Sequence, residues 1–383
     1  MIYLDNAATT LWKPACVQEA VIKAMSSSGN PGRGIYQAAE DAEKILLQAR
    51  ERVSRYFHAE GAERTAFTQN ATEALNTALW GTLREGDHVI TTAAEHNAVL
   101  RPLYALRRDR HVDISILPVN ARGILQMEEL HSLFRPKTRA VVMTHASNVT
   151  GNVTDIKTAS SIAHEHGALM ITDTAQTAGE IPVDMQEMGI DILCFTGHKG
   201  LLGPQGTGGI IVRKGVQIDP LLRGGTGMQS FDEDMPECLP ERLEAGTRNV
   251  PGIAGLSVSI EWLQAQDLHA RHHREMALAK NFLLRIVDIP GIRLYGEYDG
   301  PDERRIPIIS LNIGDVPSGE IAELLWESGG IAVRAGAHCA PLMHIAQGTK
   351  EQGVVRFSFC CHNTEEEVES AALLLRSIAQ SLI

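Results

Sequence analysis

The sequence is poor in aromatic residues, has no excess of positive charge and contains no long apolar run. Phe, Trp and Tyr together make up 5% of its 383 residues. Lysine plus arginine is 35 against 47 for aspartate plus glutamate, a formal net charge of −12. A balance that acidic argues against wrapping nucleic acid or settling on an anionic membrane through bulk charge. No apolar stretch approaches the ~18 residues of a membrane span. The opening Met-Ile-Tyr-Leu-Asp-Asn-Ala-Ala-Thr-Thr has neither a basic nor an apolar region, so no signal peptide is expected. Six cysteines, none in a CxxC pair, fit a reducing cytoplasm better than a disulfide framework. Repeats at periods of roughly 20–50 residues are absent. No Walker loop and no GxGxxG after a first strand support nucleotide binding. The expectation is a soluble, cytoplasmic, enzymatic chain with enough length for a large core.

What is present alternates. Short apolar runs occur at Val89–Thr92, Val112–Leu117, Ala140–Thr144, Ala168–Thr172, Ile190–Phe195 and Gly209–Val212. Amphipathic stretches carry Ile45, Ala49, Val53 and Phe57, or Leu75, Leu79 and Leu83, at helical spacing. Buried strands joined by helical crossovers give an α/β fold with a mostly parallel central sheet flanked by helices. After residue 253 the pattern changes to one long helical stretch (253–285), strands near Ile292–Tyr295 and Ile306–Ile313, and a helix over 318–328. Strands at Ile331–Arg334 and Val354–Phe359 follow, then a last helix opened by a Thr364/Glu367 capping box. The pattern predicts a large domain over 15–252 and a smaller α+β C-terminal domain over 253–383, with residues 1–14 packing on the smaller one.

The chemistry-bearing residues fall at strand ends. Lys199, in Phe195-Thr196-Gly197-His198-Lys199-Gly200, directly follows a predicted buried strand. A surface lysine in a Gly-rich turn is the bland account. The functional one is an amine desolvated enough to be neutral and to attack a carbonyl. Six glycines between 197 and 209 let the backbone approach a phosphate closely. Asp173 ends another predicted strand, as a helix cap or as the carboxylate that keeps a pyridine nitrogen protonated. Gln176 lies three residues on, within reach of a ring hydroxyl. Asn70 and Glu73 form a capping box, and the free amides of that helix start with the Thr72 hydroxyl could hold a phosphate. His96 and Asn148 follow further strands, at the carboxyl edge where open α/β sheets bind ligands.

In the C-terminal part, Val333-Arg334-Ala335-Gly336-Ala337-His338-Cys339-Ala340-Pro341 reads as an exposed loop around a thiol nucleophile, against the alternative of a packed cysteine. His269, His272 and His273 could share a helix face. No carboxylate or cysteine completes a tetrahedral set there, so a solvated helix is expected and no metal.

Taken in order, the segments Tyr3–Thr10, Asn70–Glu73, Glu95–Asn97, Ser147–Val149, Asp173–Gln176, Thr196–Lys199, Glu244–Thr247, Arg334–Pro341 and Arg356–Ser358 resemble the cysteine desulfurase and selenocysteine lyase family. That family belongs to the class V aminotransferase group of fold type I pyridoxal-phosphate enzymes. The resemblance spans nearly the whole chain. It implies a pyridoxal 5'-phosphate cofactor linked to Lys199 and paired through Asp173. Gln176 and Asn148 would reach the ring hydroxyl and His96 would stack on the ring. Ala71, Thr72, Thr196 and His198 would hold the phosphate, completed by Thr247 of the partner in a homodimer. Arg356 would bind the substrate carboxylate, a role Asn148 would share, and Cys339 would take sulfur. The short Arg-x-Gly-x-His-Cys-Ala setting resembles the family's group II, which usually has His-His where this chain has Ala337-His338. The implied reaction turns L-cysteine into L-alanine, with a sulfur-acceptor protein as a further partner. L-Selenocysteine as substrate, and a class V aminotransferase or epimerase that does not use Cys339, remain alternatives.

Overall fold

The computed structural model describes residues 1–32 and 34–382. Arg33, in the expected large domain, and Ile383, the last residue of the expected smaller one, lie outside the described residues. The chain begins with β1 (Ile2–Tyr3), α1 (Ala15–Ser27) and α2 (Gln37–Tyr56). Then come β2 (Thr65–Thr68), α3 (Ala71–Thr82), β3 (His88–Thr92), α4 (Asn97–Asp109), β4 (Asp113–Leu117) and β5 (Thr138–Thr144). They are followed by α5 (Ile156–Glu165), β6 (Leu169–Asp173), β7 (Ile192–Thr196) and β8 (Gly208–Val212).

Seven of these strands form one sheet in the order β2-β8-β7-β6-β5-β3-β4. Pairings from β4 through β7 are parallel, and β8 runs antiparallel to both β7 and β2. Alternate residues serve opposite faces. Leu193 and Phe195 pack into a core with residues of α2, α5 and α6, while Ile192 and Cys194 pack with residues of α3 and α4. Both faces are covered, which is why these strands read as unbroken apolar runs. Strand β2 has no such run and sits at the sheet's edge, so it escaped the sequence reading.

The remaining elements are α6 (Val250–Gln264), α7 (Leu268–Ile286), β9 (Ile292–Tyr295), β10 (Ile308–Ile313) and α8 (Ser318–Gly329). The chain then forms β11 (Ile331–Ala332), β12 (Arg334–Gly336), α9 (Pro341–Ala346), β13 (Val354–Ser358) and α10 (Glu365–Leu382). The single helix expected over 253–285 is two. The break falls before Asp267, whose side chain caps α7 by accepting from Ala270 N at 3.1 Å. Helix α6 puts Ile253, Leu256 and Ile260 into the large sheet's core, whereas α7 puts Leu278, Phe282 and Ile286 into the smaller one. The expected boundary at 252 thus falls inside the first turn of α6. The smaller core covers an antiparallel sheet ordered β12-β13-β10-β9. Strand β1 pairs in parallel with β11, and Leu4 lies in this same core. Thr364 and Glu367 make the capping box read from the sequence, with both reciprocal bonds at 3.2 Å.

Candidate active site

Strands β6 and β7 run parallel and end side by side, with Asp173 in register with Cys194. Asp173 closes β6 at 4% exposure. Its Oδ1 accepts from Ala175 N at 2.9 Å within a turn, and no helix follows, so it is not a helix cap. Burial pushes its pKa up, opposed by the Ala175 amide and by Lys199. A carboxylate in that position calls for a cationic or protonated partner.

Lys199 lies just past the end of β7. Burial pulls its pKa down to about 8; Asp173 opposes the shift, while Arg356 and Arg334 add to it. Such an amine keeps a usable neutral fraction near neutral pH. Its loop is pinned through one atom, the carbonyl oxygen of His198. That oxygen accepts from Thr9 Oγ1 at 3.2 Å, Thr10 N at 3.2 Å, Thr10 Oγ1 at 3.1 Å and Lys13 Nζ at 3.0 Å. The His198 ring meets Thr9 Oγ1 at 3.0 Å, and burial first, then Lys199 and Lys13, lower its pKa to about 4. Gly200 is obligatory, because a Cβ there would sit 2.6 Å from Glu180 Oε1 and 2.7 Å from Ala178 O.

His96 occupies the N-cap of α4, where its Nδ1 accepts from Ala98 N at 3.0 Å. Burial, reinforced by Lys199, Arg101 and Arg356, lowers its pKa to about 4. A neutral ring beside a lysine suits stacking rather than proton donation. Gln176 lines a small crevice with Lys199, Asn6 and Ala7, and its Nε2 donates to Ala7 O at 3.2 Å.

Helix α3 starts where the sequence placed it, with Asn70 Oδ1 accepting from Glu73 N at 2.9 Å. The return bond differs: Glu73 accepts from Gln69 N at 2.7 Å rather than from Asn70. Gly208 pairs with Thr196 on one side and Thr68 on the other. A Cβ on Gly208 would lie 2.8 Å from the Asn70 backbone, so only glycine lets the start of α3, with Ala71 and Thr72, close on Thr196.

Arg356 projects from β13 at 2% exposure. Its Nη1 donates to Asn148 O at 2.9 Å and its Nη2 to Asp5 Oδ1 at 3.1 Å. Asn148 in turn donates through Nδ2 to His338 O at 2.7 Å. Asn97 N donates to Cys339 O at 2.7 Å. The thiol loop is therefore tied to the residues beside His96 and to the partner of Arg356. Cys339 itself is exposed. His338 and Cys339 both adopt left-handed backbone, φ 48° and 55°, a strained pair for residues with a Cβ. Burial drives the His338 pKa down to about 3, leaving Arg334 as a cation in electrostatic contact with Cys339.

One expected residue stands apart. Thr247 is exposed and lines a surface hollow with Met25, Gly29 and Pro31, away from Lys199. Its segment is anchored by Glu244, which is 5% exposed and pairs with Arg50 at 2.6 Å and Arg248 at 2.7 Å while accepting from Phe67 N. Three residues went unassigned in the sequence: Glu244, Asp5 and Glu95. Each lies in a quoted motif, the one signal that could have found them. Glu95, fully buried, accepts through Oε1 from Thr92 Oγ1 at 2.6 Å and Thr144 N at 2.9 Å. Burial raises its pKa to about 8, so it adds no full second charge beside Asp173. His272 is buried and binds Asp302 O at 3.1 Å, so the solvated reading suits His269 and His273 alone. A cavity of about 760 Å³ near Leu125, Met188 and Arg305 holds none of the expected site residues.

The family description "Aminotransferase class-V" matches residues 2–370. The chain belongs to the class V aminotransferase family. A probable cysteine desulfurase of Methanothermobacter thermautotrophicus is 34% identical, over 99% of this chain and 94% of that one. The cysteine desulfurase of Shigella flexneri is 33% identical, over 100% of this chain and 94% of its own. Among solved structures, the S-sulfonic acid form of the cysteine desulfurase CsdA from Escherichia coli superposes with a TM-score of 0.89. It is 31% identical and covers 100% of this chain and 95% of that one. The apo cysteine desulfurase of Thermococcus onnurineus NA1 gives 0.91 at 27% identity, covering 99% and 95%. The fold is thus that of fold type I enzymes.

The family's use of pyridoxal phosphate can be tested on these residues. An amine with depressed pKa, a buried carboxylate lacking a full counter-charge, a neutral imidazole and a helix start closed on Thr196 converge at one sheet edge. That donor set fits a group bearing a carbonyl, a basic ring nitrogen and a phosphate.

Proposed function

We propose that this protein is a pyridoxal-phosphate-dependent cysteine desulfurase that converts L-cysteine to L-alanine and carries the sulfur as a persulfide on Cys339. The observation that carries the reading is the hydrogen-bonded chain from Arg356 through Asn148 to His338, next to an exposed Cys339. A class V aminotransferase has no need to tie a thiol loop to its carboxylate-binding arginine.

Lys199 and Asp173 would hold the cofactor, with Gln176, Asn148 and His96 around its ring. Ala71, Thr72, Thr196 and His198 would sit at its phosphate. Bound there, the group supplies an electron sink for charge developing at the substrate Cα. Arg356 binds the substrate carboxylate and fixes Cα against Lys199. The neutral Lys199 amine removes the Cα proton. Asp173 holds a proton at the ring nitrogen. The Cys339 thiolate bonds to the substrate sulfur, the Cβ–S bond breaks, and its electron pair stays on carbon, which gains a proton. Arg334 is the cation beside the thiol.

Thr247 would complete the phosphate site of a second copy. Support comes from apolar side chains left exposed near it: Gly246 N donates to Gly225 O at 2.8 Å, and Leu222, Met228 and Phe231 flank that segment in the open. All six thiols are unpaired, which favours the cytoplasm, and no helix among the described residues is long and apolar enough to cross a membrane. The exposure of Cys339 leaves room for a sulfur-acceptor protein.

The test is to supply L-cysteine and, separately, L-selenocysteine to the loaded enzyme and quantify alanine with sulfide or selenide. Alanine from cysteine, with labelled sulfur on Cys339, is expected. Alanine from selenocysteine alone would make the protein a selenocysteine lyase.

A further inference from the structure

Asp5 has no part in the chemistry above, yet two arginines of the site meet on it. It is 8% exposed. Its Oδ1 accepts from Arg356 Nη2 at 3.1 Å and from Arg334 Nε at 3.3 Å, its Oδ2 accepts from Arg334 Nε at 3.0 Å, and Arg334 Nη2 lies in ion-pair contact with Oδ2 at 3.0 Å. Arg334 therefore meets both oxygens of Asp5 through Nε, and Arg356 meets one of them. Arg356 also retains an idle donor, since its Nε is buried without a partner. Two guanidiniums against one carboxylate leave a single positive charge, which one substrate carboxylate cancels.

Resting on the desulfurase reading, we infer that Asp5 is a positioning residue for Arg356, an internal stand-in for the substrate carboxylate. With the site empty, Asp5 keeps the buried guanidinium paired and aimed. When substrate arrives, Arg334 retains Asp5 and Arg356 offers its Nε edge to the incoming carboxylate. Cysteine and alanine present the same carboxylate, so an arginine without a competitor would hold product as firmly as substrate. Asp5 weakens both complexes and lets alanine leave.

The experiment is calorimetric titration of propionate and of L-alanine into cofactor-loaded and cofactor-free protein, with wild-type cysteine turnover measured alongside. Asp5→Asn keeps the shape and removes the charge. It should bind both ligands about tenfold or more tightly, since a like charge a few ångströms away is gone. Its KM for cysteine and its kcat should fall together as alanine dissociates more slowly. Asp5→Glu should stay near wild type. Arg334→Gln leaves Asp5 to Arg356 alone and should weaken binding several-fold. Equal or weaker propionate binding by a folded Asp5→Asn protein overturns the inference. So does tightening that persists when Arg356→Gln is added. If Asp5→Asn does not fold, unchanged binding by Arg334→Gln overturns it. A wild type that makes no alanine from cysteine removes the desulfurase reading, while the titrations still decide the role of Asp5.

Discussion

The Lys199 loop and the Cys339 loop are built alike and placed in opposite surroundings. Each follows a strand and each is held by its backbone, Lys199 through the four bonds to His198 O and Cys339 through Asn97 N and Asn148 Nδ2. The lysine is half-buried among charges that move its titration; the thiol is exposed. Proton transfer at carbon gains from a partly desolvated amine. A sulfur that must be handed on gains from an open one. Backbone pinning supplies precision to both, and burial is what assigns the task.

The comparison breaks most sharply at the lysine. Lys199→Ala should lower cysteine turnover by ~10⁴-fold or more while the protein stays folded, because it removes both the cofactor link and the base. Residual turnover within tenfold of wild type would show that the amine is not the base.

Cys339→Ala separates the two loops. Turnover should drop by about 10²–10³-fold, because solvent thiol replaces a positioned nucleophile. Exchange of the substrate Cα hydrogen with deuterated water, followed by NMR, should continue. Selenocysteine should lose less, its Cβ–Se bond being weaker. Undiminished alanine release without added thiol would leave Cys339 a mere loop residue.

Burial of Lys199 predicts a pH effect with a definite sign. A lowered lysine pKa means that the reactive neutral form grows as pH rises and saturates above about 8. Uptake of pyridoxal phosphate by cofactor-free protein should therefore quicken about tenfold per unit below that point and then level off. A rate that keeps climbing about tenfold per unit well past pH 8, toward the ordinary lysine value of 10.5, would mean the amine is not desolvated.

The smallest effect should come from Thr247. Thr247→Ala should weaken cofactor retention about tenfold, the loss of one hydrogen bond to a charged group. The same loss should appear in wild type diluted until the dimer dissociates. A monomer that retains cofactor as well as the dimer would place Thr247 outside the site.

Asp173 was legible because a buried strand that ends in a charged residue violates its own pattern, and Lys199 because a charge in a Gly-rich turn follows such a strand directly. The Cys339 loop was legible because glycine, alanine and proline surround the cysteine. Glu244 was not: its partner Arg50 lies 194 residues away, and no local period records such a pairing. Asp5 was quoted in a motif but its bridge to Arg334 and Arg356 depends on β1 docking against the far end of the chain. The break between α6 and α7 was hidden because both halves are helical. What separates them is which core each one joins, and that is a tertiary fact.

The N-terminal segment has a temporal consequence. Its residues are made long before the segments they meet: Ile2 pairs with Ile331, Asn6 donates to Ser358 O, and Asn363 donates to Tyr3 O. Thr9, Thr10 and Lys13, which pin the lysine loop, hang from that docked strand. During synthesis the large sheet can assemble as its strands emerge, but the strap must wait for residues 331–363. The lysine loop gains its final support only after residues 331–363 have been made and docked, late relative to the sheet that carries it.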